Sequence, residues 1–294
     1  MLTEQINPNT QDIDRLSTLE IVSMINEEDM TVAQAVQNAL PQIARAIDGI
    51  VESLTQGGRV IYIGAGTSGR LGMLDAVECV PTFGISPDIF QALIAGGDIA
   101  LTQSIEGAED RAEAAEKDLQ NILLSDTDVV VGIAASGRTP YVIGGVKYAR
   151  SIGSLTIGLS CNSPAPLLDV VEIPIAVPVG AEVIAGSTRM KAGTAQKMVL
   201  NMISTATMVK MGKVYRNLMV DLRITNEKLR RRAHDIIIYL TGLDEDAAQK
   251  LLLDANNQVK TALVIFYCDV DQESANLILR ENHGFLRQII EELS

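Results

Sequence analysis

Two stretches of this chain decide its fold: residues 61–70 read IYIGAGTSGR, and residues 131–140 read VGIAASGRTP. In both, an apolar run of strand type enters a turn of small residues that contains Ser-Gly-Arg. The repeat predicts two equivalent loops, each joining a buried strand to a following helix. Loops at the carboxyl ends of parallel strands line the ligand crevice in open α/β folds. These two loops are therefore the first candidate site.

Outward from these loops, short apolar runs rich in β-branched residues alternate with helical stretches. The runs are VIYIG (60–64), ALIAG (92–96), VVVGI (129–133), LTIGL (155–159) and IPIAV (173–177). Buried strands of a mostly parallel sheet, each followed by a covering helix, have this pattern. The sequence therefore predicts an α/β fold with a mostly parallel sheet flanked by helices.

Helical patterns lie on both sides of this central region. From Thr18 to Gln56 apolar residues recur at helical spacing, and Pro41 interrupts them, which predicts two helices with a bend. The pattern after Thr225 is helical again, with breaks that divide it into a small bundle. We expect three parts: an N-terminal helical segment (1–55), an α/β domain (56–224) and a C-terminal helical bundle (225–294).

Composition and charge exclude several classes of function. The 294 residues, 47% of them hydrophobic, can bury one sizeable core and a smaller unit. A net charge of −13 and an aromatic content of 3% disfavour a nucleic-acid partner, and no apolar run is long enough to span a bilayer. The polar N-terminus lacks a secretory pattern, and three scattered cysteines indicate a reducing compartment, so we expect a cytoplasmic protein. With two histidines and no clustered ligands, we expect no metal.

The first loop formally matches GxGxxG, so a dinucleotide site is the first alternative for residues 64–69. Such a site also needs a second strand that ends in an acid about 20 residues on. The region 81–88 is loop-like instead, and the lysine of a nucleoside triphosphate loop is missing. A single phosphate fits better, because Thr67 and Ser68 offer hydroxyls and the backbone near Gly66 offers amides at a helix N-terminus.

The second loop offers a matching set of donors. These are the hydroxyls of Ser136 and Thr139 and the amide of Gly137, with Arg138 between them. Glycines in either loop could serve only to allow a tight turn between strand and helix. The matched pair favours phosphate binding over that interpretation.

A third candidate segment follows the last predicted strand. Ser187 or Thr188 is expected to cap the long apolar helix predicted over 190–212. Such a cap does not explain why this segment also contains the carboxylate of Glu182 and two cations, Arg189 and Lys191. The helix dipole disfavours cations in the first turn unless an anion is nearby.

Longer strings carry a resemblance to a known family. The strings GAGTSGRLGMLDAVEC, IEGAED, GIAASGRTPYV and GAEVIAGSTRMKAGTAQK resemble the N-acetylmuramic acid 6-phosphate etherases. The likeness continues through NLMVD (217–221), TNEKL (225–229) and HGFLRQ (283–288). It implies a sugar-isomerase (SIS) domain of flavodoxin-like, three-layer type with a UBA-like bundle, as in the similar glucokinase regulatory protein.

The resemblance implies a phosphosugar substrate and no cofactor. It assigns the substrate and phosphate contacts to residues of the three segments: Gly66, Thr67, Ser68, Ser136, Gly137, Arg138, Thr139, Glu182, Ser187 and Thr188. The implied reaction is cleavage of the lactyl ether at C3 of the sugar. Elimination from the open-chain aldehyde, followed by hydration, needs two carboxylates in different environments rather than a metal or redox cofactor.

The catalytic carboxylates implied by the resemblance are Glu78 and Glu109. We expect Glu78 to be the acid, because its apolar neighbours Val77, Cys79 and Val80 would raise its pKa. Glu109, among other charged residues, is expected to be the ionised partner. A run of acids opening a helix is more often a solvated first turn, so this assignment depends on the resemblance. Glu182, at the position of the catalytic glutamate in related isomerases, is a third candidate.

One distance conflicts with this assignment. On a regular helix, Glu78 lies roughly 15 Å beyond Ser68, farther than a sugar's phosphate is from its C2. Either the helix ends early, before Pro81, or Glu78 reaches the sugar from a second subunit.

The apolar helix 190–212 and the N-terminal helices are expected to form a homodimer interface. His283 and His234 are candidates for ring opening, although each is more often structural.

Two other functions use the same fold and loops. An aldose–ketose phosphosugar isomerase needs only one base, and a phosphosugar-sensing regulator needs no catalytic acid at all. The two glutamates in family-matching strings favour the etherase.

Overall fold

In the computed structural model, which describes residues 1–291, five short strands form one parallel sheet. The strands are β1 (Val60–Gly64), β2 (Phe90–Ile94), β3 (Val129–Ile133), β4 (Leu155–Ser160) and β5 (Ile173–Ala176). Their order is β2-β1-β3-β4-β5, and all four pairings are parallel. Every residue of β1 and β3 is buried. The predicted fold class is confirmed.

The helices alternate with these strands and continue after them. They are α1 (Thr18–Gln37), α2 (Leu40–Thr55), α3 (Gly66–Phe83), α4 (Ala112–Asn121), α5 (Pro140–Ile152), α6 (Pro166–Val170), α7 (Lys191–Lys210), α8 (Glu227–Thr241), α9 (Glu245–Asp254), α10 (Val259–Cys268), α11 (Gln272–Glu281) and α12 (Leu286–Glu291). A short antiparallel hairpin, β6 (Val214–Tyr215) and β7 (Leu218–Met219), follows α7. Within residues 1–291, no helix combines the length and the apolar character that crossing a bilayer requires.

The chain divides into two compact units. The first holds Met1–Ala76 and Pro87–Ser204, and the second holds Val77–Ser86 and the chain from Thr205 onward. Both α3 and α7 therefore begin in the first unit and end in the second. The three-part division into 1–55, 56–224 and 225–294 stays a prediction.

The core of the first unit lies between the sheet and helices α4 and α5. Tyr141, Val142 and Val146 of α5 pack with Ile61 and Ile63 of β1. α5 approaches closely because two of its positions are glycine. A Cβ on Gly144 would lie 2.5 Å from the Ala112 carbonyl oxygen, and one on Gly145 would lie 2.5 Å from Ile63 Cδ1.

Two N-terminal helices, α1 and α2, are present, as the interruption at Pro41 predicts. Pro41 lies in the first turn of α2, where the missing amide costs least, and α1 has already ended at Gln37. Ser17 and Glu20 form a reciprocal capping box at the start of α1. The face of α2 that includes Ile43, Ile47 and Ile50 is buried.

Two predicted element boundaries are wrong. β2 ends two residues earlier than predicted, because Gly96 and Gly97 adopt left-handed φ values of 92° and 69°. α3 begins at Gly66 and runs through Pro81 to Phe83, so it does not end before the proline. A proline so near the carboxyl end of a helix removes only one backbone hydrogen bond. α3 ends with the Gly84 amide donating to the Val80 carbonyl at 3.0 Å.

The second unit has a core of its own. Its hairpin and helices α8–α12 bury an apolar cluster that includes Ile237, Leu252, Val259, Leu263 and Ile289. Asn226, Asp244 and Asp271 each accept a hydrogen bond from a backbone amide in the first turn of the helix that they precede. The predicted C-terminal helical bundle is present.

Candidate active site

The two matched loops lie side by side at the carboxyl edge of the sheet. β1 and β3 are neighbours, and their last residues, Gly64 and Ile133, are paired in register. The strand order also reverses direction between β1 and β3, which is the topological switch point where open α/β sheets bind ligands. Sheet topology therefore places both loops where a crevice is expected.

In the first loop, glycine makes a tight turn from β1 into α3. Gly66 has a left-handed φ of 54°, and a Cβ on Gly69 would lie 2.6 Å from Ile94 Cγ1. Thr67 is half-buried, whereas Ser68 is buried and its Oγ donates to Gln196 Oε1 at 2.9 Å. The Ser68 hydroxyl is thus oriented by α7.

The second loop offers fewer donors than the sequence predicts. The amide of Gly137 donates to the Ala134 carbonyl at 3.0 Å, so it is already used within the turn. Ser136 Oγ accepts from the Arg138 amide at 3.1 Å, which leaves its own hydrogen to donate. Thr139 precedes α5 without capping it through its side chain. The hydroxyls of Ser136 and Thr139 and the exposed side chain of Arg138 are the donors that this loop still offers.

A cleft of about 350 Å³ opens beside the first loop. Gly66 and Glu109, two of the predicted site residues, both line it, together with Arg70 and Glu106. The Arg70 guanidinium donates to the carbonyls of Leu101 and Gln103 at 3.1 and 3.0 Å. It thereby ties the segment that precedes Glu109 to the start of α3.

Glu109 does not lie in the first turn of a long helix. It lies on a single 3₁₀ turn, Ala108–Asp110, which follows the left-handed Gly107, and α4 begins only at Ala112. The carboxyl is exposed and lines the cleft. The solvated first turn that the run of acids suggested is therefore not its position.

Glu78 does not have the surroundings that the sequence predicts. Its side chain is exposed and its neighbour Val77 is 58% exposed, so the single chain does not supply the predicted apolar surroundings. Because α3 is unbroken, Glu78 lies roughly 15 Å along the helix axis from Ser68. An early end of the helix, the first of the two predicted explanations, is wrong. Glu78 belongs to the second unit, whereas all residues that line the cleft belong to the first.

Glu182 is buried and binds the start of α7. Its two carboxylate oxygens accept from the amides of Lys191 and Ala192, each at 2.9 Å. Burial raises the pKa of Glu182, and these two hydrogen bonds oppose that shift. Helix capping, which the sequence assigned to Ser187 or Thr188, is thus performed by Glu182.

The cation at the start of α7 is neutralised within the chain. Lys191 Nζ lies 2.5 Å from Glu28 Oε2, and both side chains are largely buried. A cation in the first turn of a helix needs a nearby anion, and for Lys191 that anion is Glu28, supported by Glu182.

The predicted residues Ser187 and Thr188 are half-buried in the segment just before α7. A Cβ on Gly193 would lie 3.5 Å from Thr67 Cγ2 and 3.6 Å from the Thr188 carbonyl oxygen, so this segment adjoins the first loop.

Comparison with known proteins identifies the family of this chain. Residues 42–150 match the model of the glucokinase regulatory protein N-terminal SIS domain, and residues 216–274 match that of its C-terminal lid domain. A protein of Caldanaerobacter subterraneus subsp. tengcongensis named N-acetylmuramic acid 6-phosphate etherase is 53% identical over 99% of this chain and 95% of its own length. One of the same name from Clostridium botulinum strain Okra is 52% identical over 100% and 97%. This chain belongs to the N-acetylmuramic acid 6-phosphate etherase family.

Solved structures agree with the fold of this etherase-family chain. An Escherichia coli protein solved as a complex has a TM-score of 0.51 at 17% identity, covering 69% of this chain and 97% of its own. A phosphoheptose isomerase from Francisella tularensis has a TM-score of 0.50 at 20% identity, covering 65% and 100%. At such identities the likeness shows a shared fold.

In this etherase-family chain, neither candidate histidine lies in the unit that holds the cleft. His234 Nε2 is 2.9 Å from the Glu245 carbonyl oxygen, and His283 adopts a left-handed φ of 51° beside a separate cavity. Within residues 1–291, no group of three or more His, Cys, Asp or Glu side chains is placed to hold a metal ion.

Sequence reasoning missed two residues of this region. Arg70 occupies the same place in the first Ser-Gly-Arg as Arg138 in the second, so the repeat itself could have identified it. Gln196 lies in the string GTAQK, but nothing in the string indicates that it holds Ser68. Its Nε2 is buried without a hydrogen-bond partner in the part of the chain that the structure describes.

Proposed function

We propose that this protein cleaves the D-lactyl ether of N-acetylmuramic acid 6-phosphate, giving N-acetylglucosamine 6-phosphate and D-lactate. The observation that carries the proposal is the pair of matched loops at the β1/β3 switch point, with Glu109 in the cleft beside the first loop. Relatives of that name, 52–53% identical over nearly the full length, support the same substrate. We place the enzyme in the cytoplasm, which suits its three cysteines, since none of them forms a disulfide within residues 1–291.

The phosphate is bound by the loops in this proposal. Ser136 and Thr139 donate from the second loop, and Thr67 and the first amides of α3 donate from the first. Gln196 is a further donor, because a buried amide N–H without a partner is costly and a phosphate oxygen beside Ser68 would satisfy it. The remaining predicted contacts, through Arg138, Ser187 and Thr188, belong to the same proposal.

The chemistry follows from the weakness of an ether as a leaving group. In the open-chain aldehyde, the carbonyl acidifies the C2 proton, and Glu109 removes it. The C2 electrons form the C2–C3 double bond while the C3–O bond breaks, and Glu78 protonates the departing lactate oxygen. Water then adds its hydroxyl to C3, and a proton returns to C2. No redox cofactor is needed, because the sum is a hydrolysis.

Glu78 reaches the sugar from a second copy of the chain in this proposal. It is exposed, and the length of α3 separates it from the Ser68 loop. The apolar residues of α7 that the sequence assigned to an interface, such as Leu200 and Ile203, are buried within the single chain. Leu19, Val22 and Met30, which share one face of α1, are instead 73%, 51% and 66% exposed. We therefore place the homodimer interface on α1.

Release of D-lactate from N-acetylmuramic acid 6-phosphate tests the function. We expect the purified protein to release lactate and N-acetylglucosamine 6-phosphate in equal amounts, with the product hydroxyl at C3 drawn from labelled water. The unphosphorylated sugar is the control and should react far more slowly. Conversion of aldose phosphates to ketose phosphates without lactate release would identify an isomerase and reject the proposal.

A further inference from the structure

The second unit contains a cavity of its own, of about 1100 Å³. The segment after β7, the start of α10 and the end of α11 form most of its wall. Two strings with family resemblance, NLMVD and HGFLRQ, meet here, since Asp221 and His283 both line the cavity. Neither string has a role in the proposed ether cleavage.

The charges at this cavity are unbalanced. Lys260 Nζ lies 2.7 Å from Asp221 Oδ2, and Lys213 Nζ lies 3.1 Å from the same oxygen. The Lys260 side chain is only 9% exposed. One carboxylate oxygen therefore serves two ammonium groups, which leaves one positive charge in excess beside the buried Lys260, although the Lys213 side chain is 30% exposed.

The excess positive charge beside Lys260 lowers the stability of the folded state. Burial lowers the pKa of Lys260, and the repulsion from Lys213 acts in the same direction, whereas Asp221 opposes both. A bound anion would relieve the repulsion and replace the lost solvation of Lys260. The arrangement is therefore better suited to a liganded cavity than to a purely structural ion pair.

The rim of the cavity adds charge of the same sign. Arg223 and Arg280 are exposed there, and Arg280 is oriented by a hydrogen bond from its Nε to the Asn276 carbonyl at 3.2 Å. Four Lys and Arg residues against one carboxylate is an unusual local balance in a chain of net charge −13. Arginine forks and ammonium groups together are the usual donors for phosphate.

Neutral groups complete the recognition surface. Thr261 Oγ1 lies 3.0 Å from both Gln258 Oε1 and Asn276 Oδ1, so its single hydrogen holds one of the two side chains at a time, and all three residues line the cavity. Amide groups fixed in this way suit the hydroxyls of a small polar ligand. We propose that this cavity is a second ligand site, which binds a phosphomonoester of a small hydroxylated molecule.

Calorimetric titration of the full-length protein with glucose 6-phosphate tests the proposal. We expect two binding events per chain, and glucose alone should show neither. Arg223→Gln/Arg280→Gln removes only exposed rim charges, so the melting temperature should not change while the second event weakens at least about tenfold. Lys213→Met should weaken it too, whereas Lys250→Met, an exposed lysine of α9, should not.

A parallel variant separates this site from the proposed catalytic one. Ser136→Ala/Thr139→Ala should weaken the first event and leave the second intact. A single event, lost in the Arg223→Gln/Arg280→Gln and Lys213→Met proteins but kept in Ser136→Ala/Thr139→Ala, would support this site and count against the phosphate loops. A single event lost only in the Ser136→Ala/Thr139→Ala protein would overturn the inference. Two events that the rim and lysine variants leave unchanged would overturn it as well.

Discussion

At the scale of single residues, the division of labour between Glu78 and Glu109 can be tested by isotope exchange. Glu78→Gln keeps size and hydrogen bonding but removes the transferable proton, so lactate release should fall about 10²–10⁴-fold. Exchange of the C2 proton with heavy water should survive in that variant. Glu109→Gln should lose exchange and cleavage together, because the base is gone.

The opposite pattern of exchange would reverse the two roles. Normal exchange and cleavage in both variants would transfer catalysis to Glu182. In that case Glu182 would have to accept a proton while its two oxygens also accept the amides at the start of α7.

The hydroxyls of the second loop give a second prediction at this scale. Ser136→Ala/Thr139→Ala should raise KM strongly for the phosphorylated sugar, since in the proposed site these groups contact the phosphate, which is remote from C2 and C3. A smaller loss of kcat is expected as well, because binding energy at the phosphate positions the reacting carbons. Steady-state kinetics measure both. Ser151→Ala, an exposed hydroxyl at the far end of α5, is the control, and unchanged kinetics in the double variant would make this loop purely structural.

At the scale of elements, α3 carries a buried carboxyl that makes stability depend on pH. Asp75 accepts from Tyr62 of β1 and Ser204 of α7, each at 3.0 Å. Burial raises the pKa of Asp75 to about 6, although both hydrogen bonds oppose the shift. The folded protein therefore holds this proton more tightly than the unfolded chain does. The contribution of Asp75 to the free energy of unfolding is greatest below about pH 4 and is lost as the pH rises through about 6.

Asp75→Asn should remove that pH dependence. The amide keeps the shape, and the two hydroxyls can still pair with it, so the variant should be more stable than the wild type at pH 7, by at most roughly 3 kcal/mol. Thermal melts between pH 4 and pH 8 measure the difference. Asp254→Asn, an exposed carboxylate on α9, is the control, and equal pH profiles for Asp75→Asn and wild type would contradict the argument.

At the scale of the whole molecule, the dimer can be tested by complementation. If Glu78 and Glu109 of one site come from different chains, a mixture of Glu78→Gln and Glu109→Gln proteins forms mixed dimers with one intact site. Activity should then recover to about a quarter of wild type after subunit exchange. No recovery, with dimers present, would place both carboxyls of a site in the same chain.

The interface has its own test. Sedimentation at micromolar concentration should show a dimer for wild type. Val22→Glu/Met30→Glu should shift it to monomer, because two buried charges would lie at the contact. Gln249→Glu, at an exposed polar position of α9, is the control. An active wild-type monomer would contradict the assembly.

Much of the fold follows from local sequence patterns. The β-branched runs at 60–64 and 129–133 coincide with β1 and β3, because a strand buried on both faces must be apolar at every position. The repeated Ser-Gly-Arg likewise indicated two equivalent turns, since a tight exit from a strand leaves few residue types to choose from. Family resemblance then added the substrate and the two glutamates.

Only the tertiary structure decided how individual groups are used. Glu182 caps α7 and Glu28 neutralises Lys191, although Glu28 and Lys191 are distant in sequence. The Gly137 amide is used inside its own turn, and Glu78 is exposed despite apolar neighbours in the chain. Hydrogen bonds and burial depend on which elements pack together, and a local pattern contains no information about partners far along the chain. For that reason the sequence determined the sheet and the loops, whereas the packing determined which polar groups remain available for a substrate.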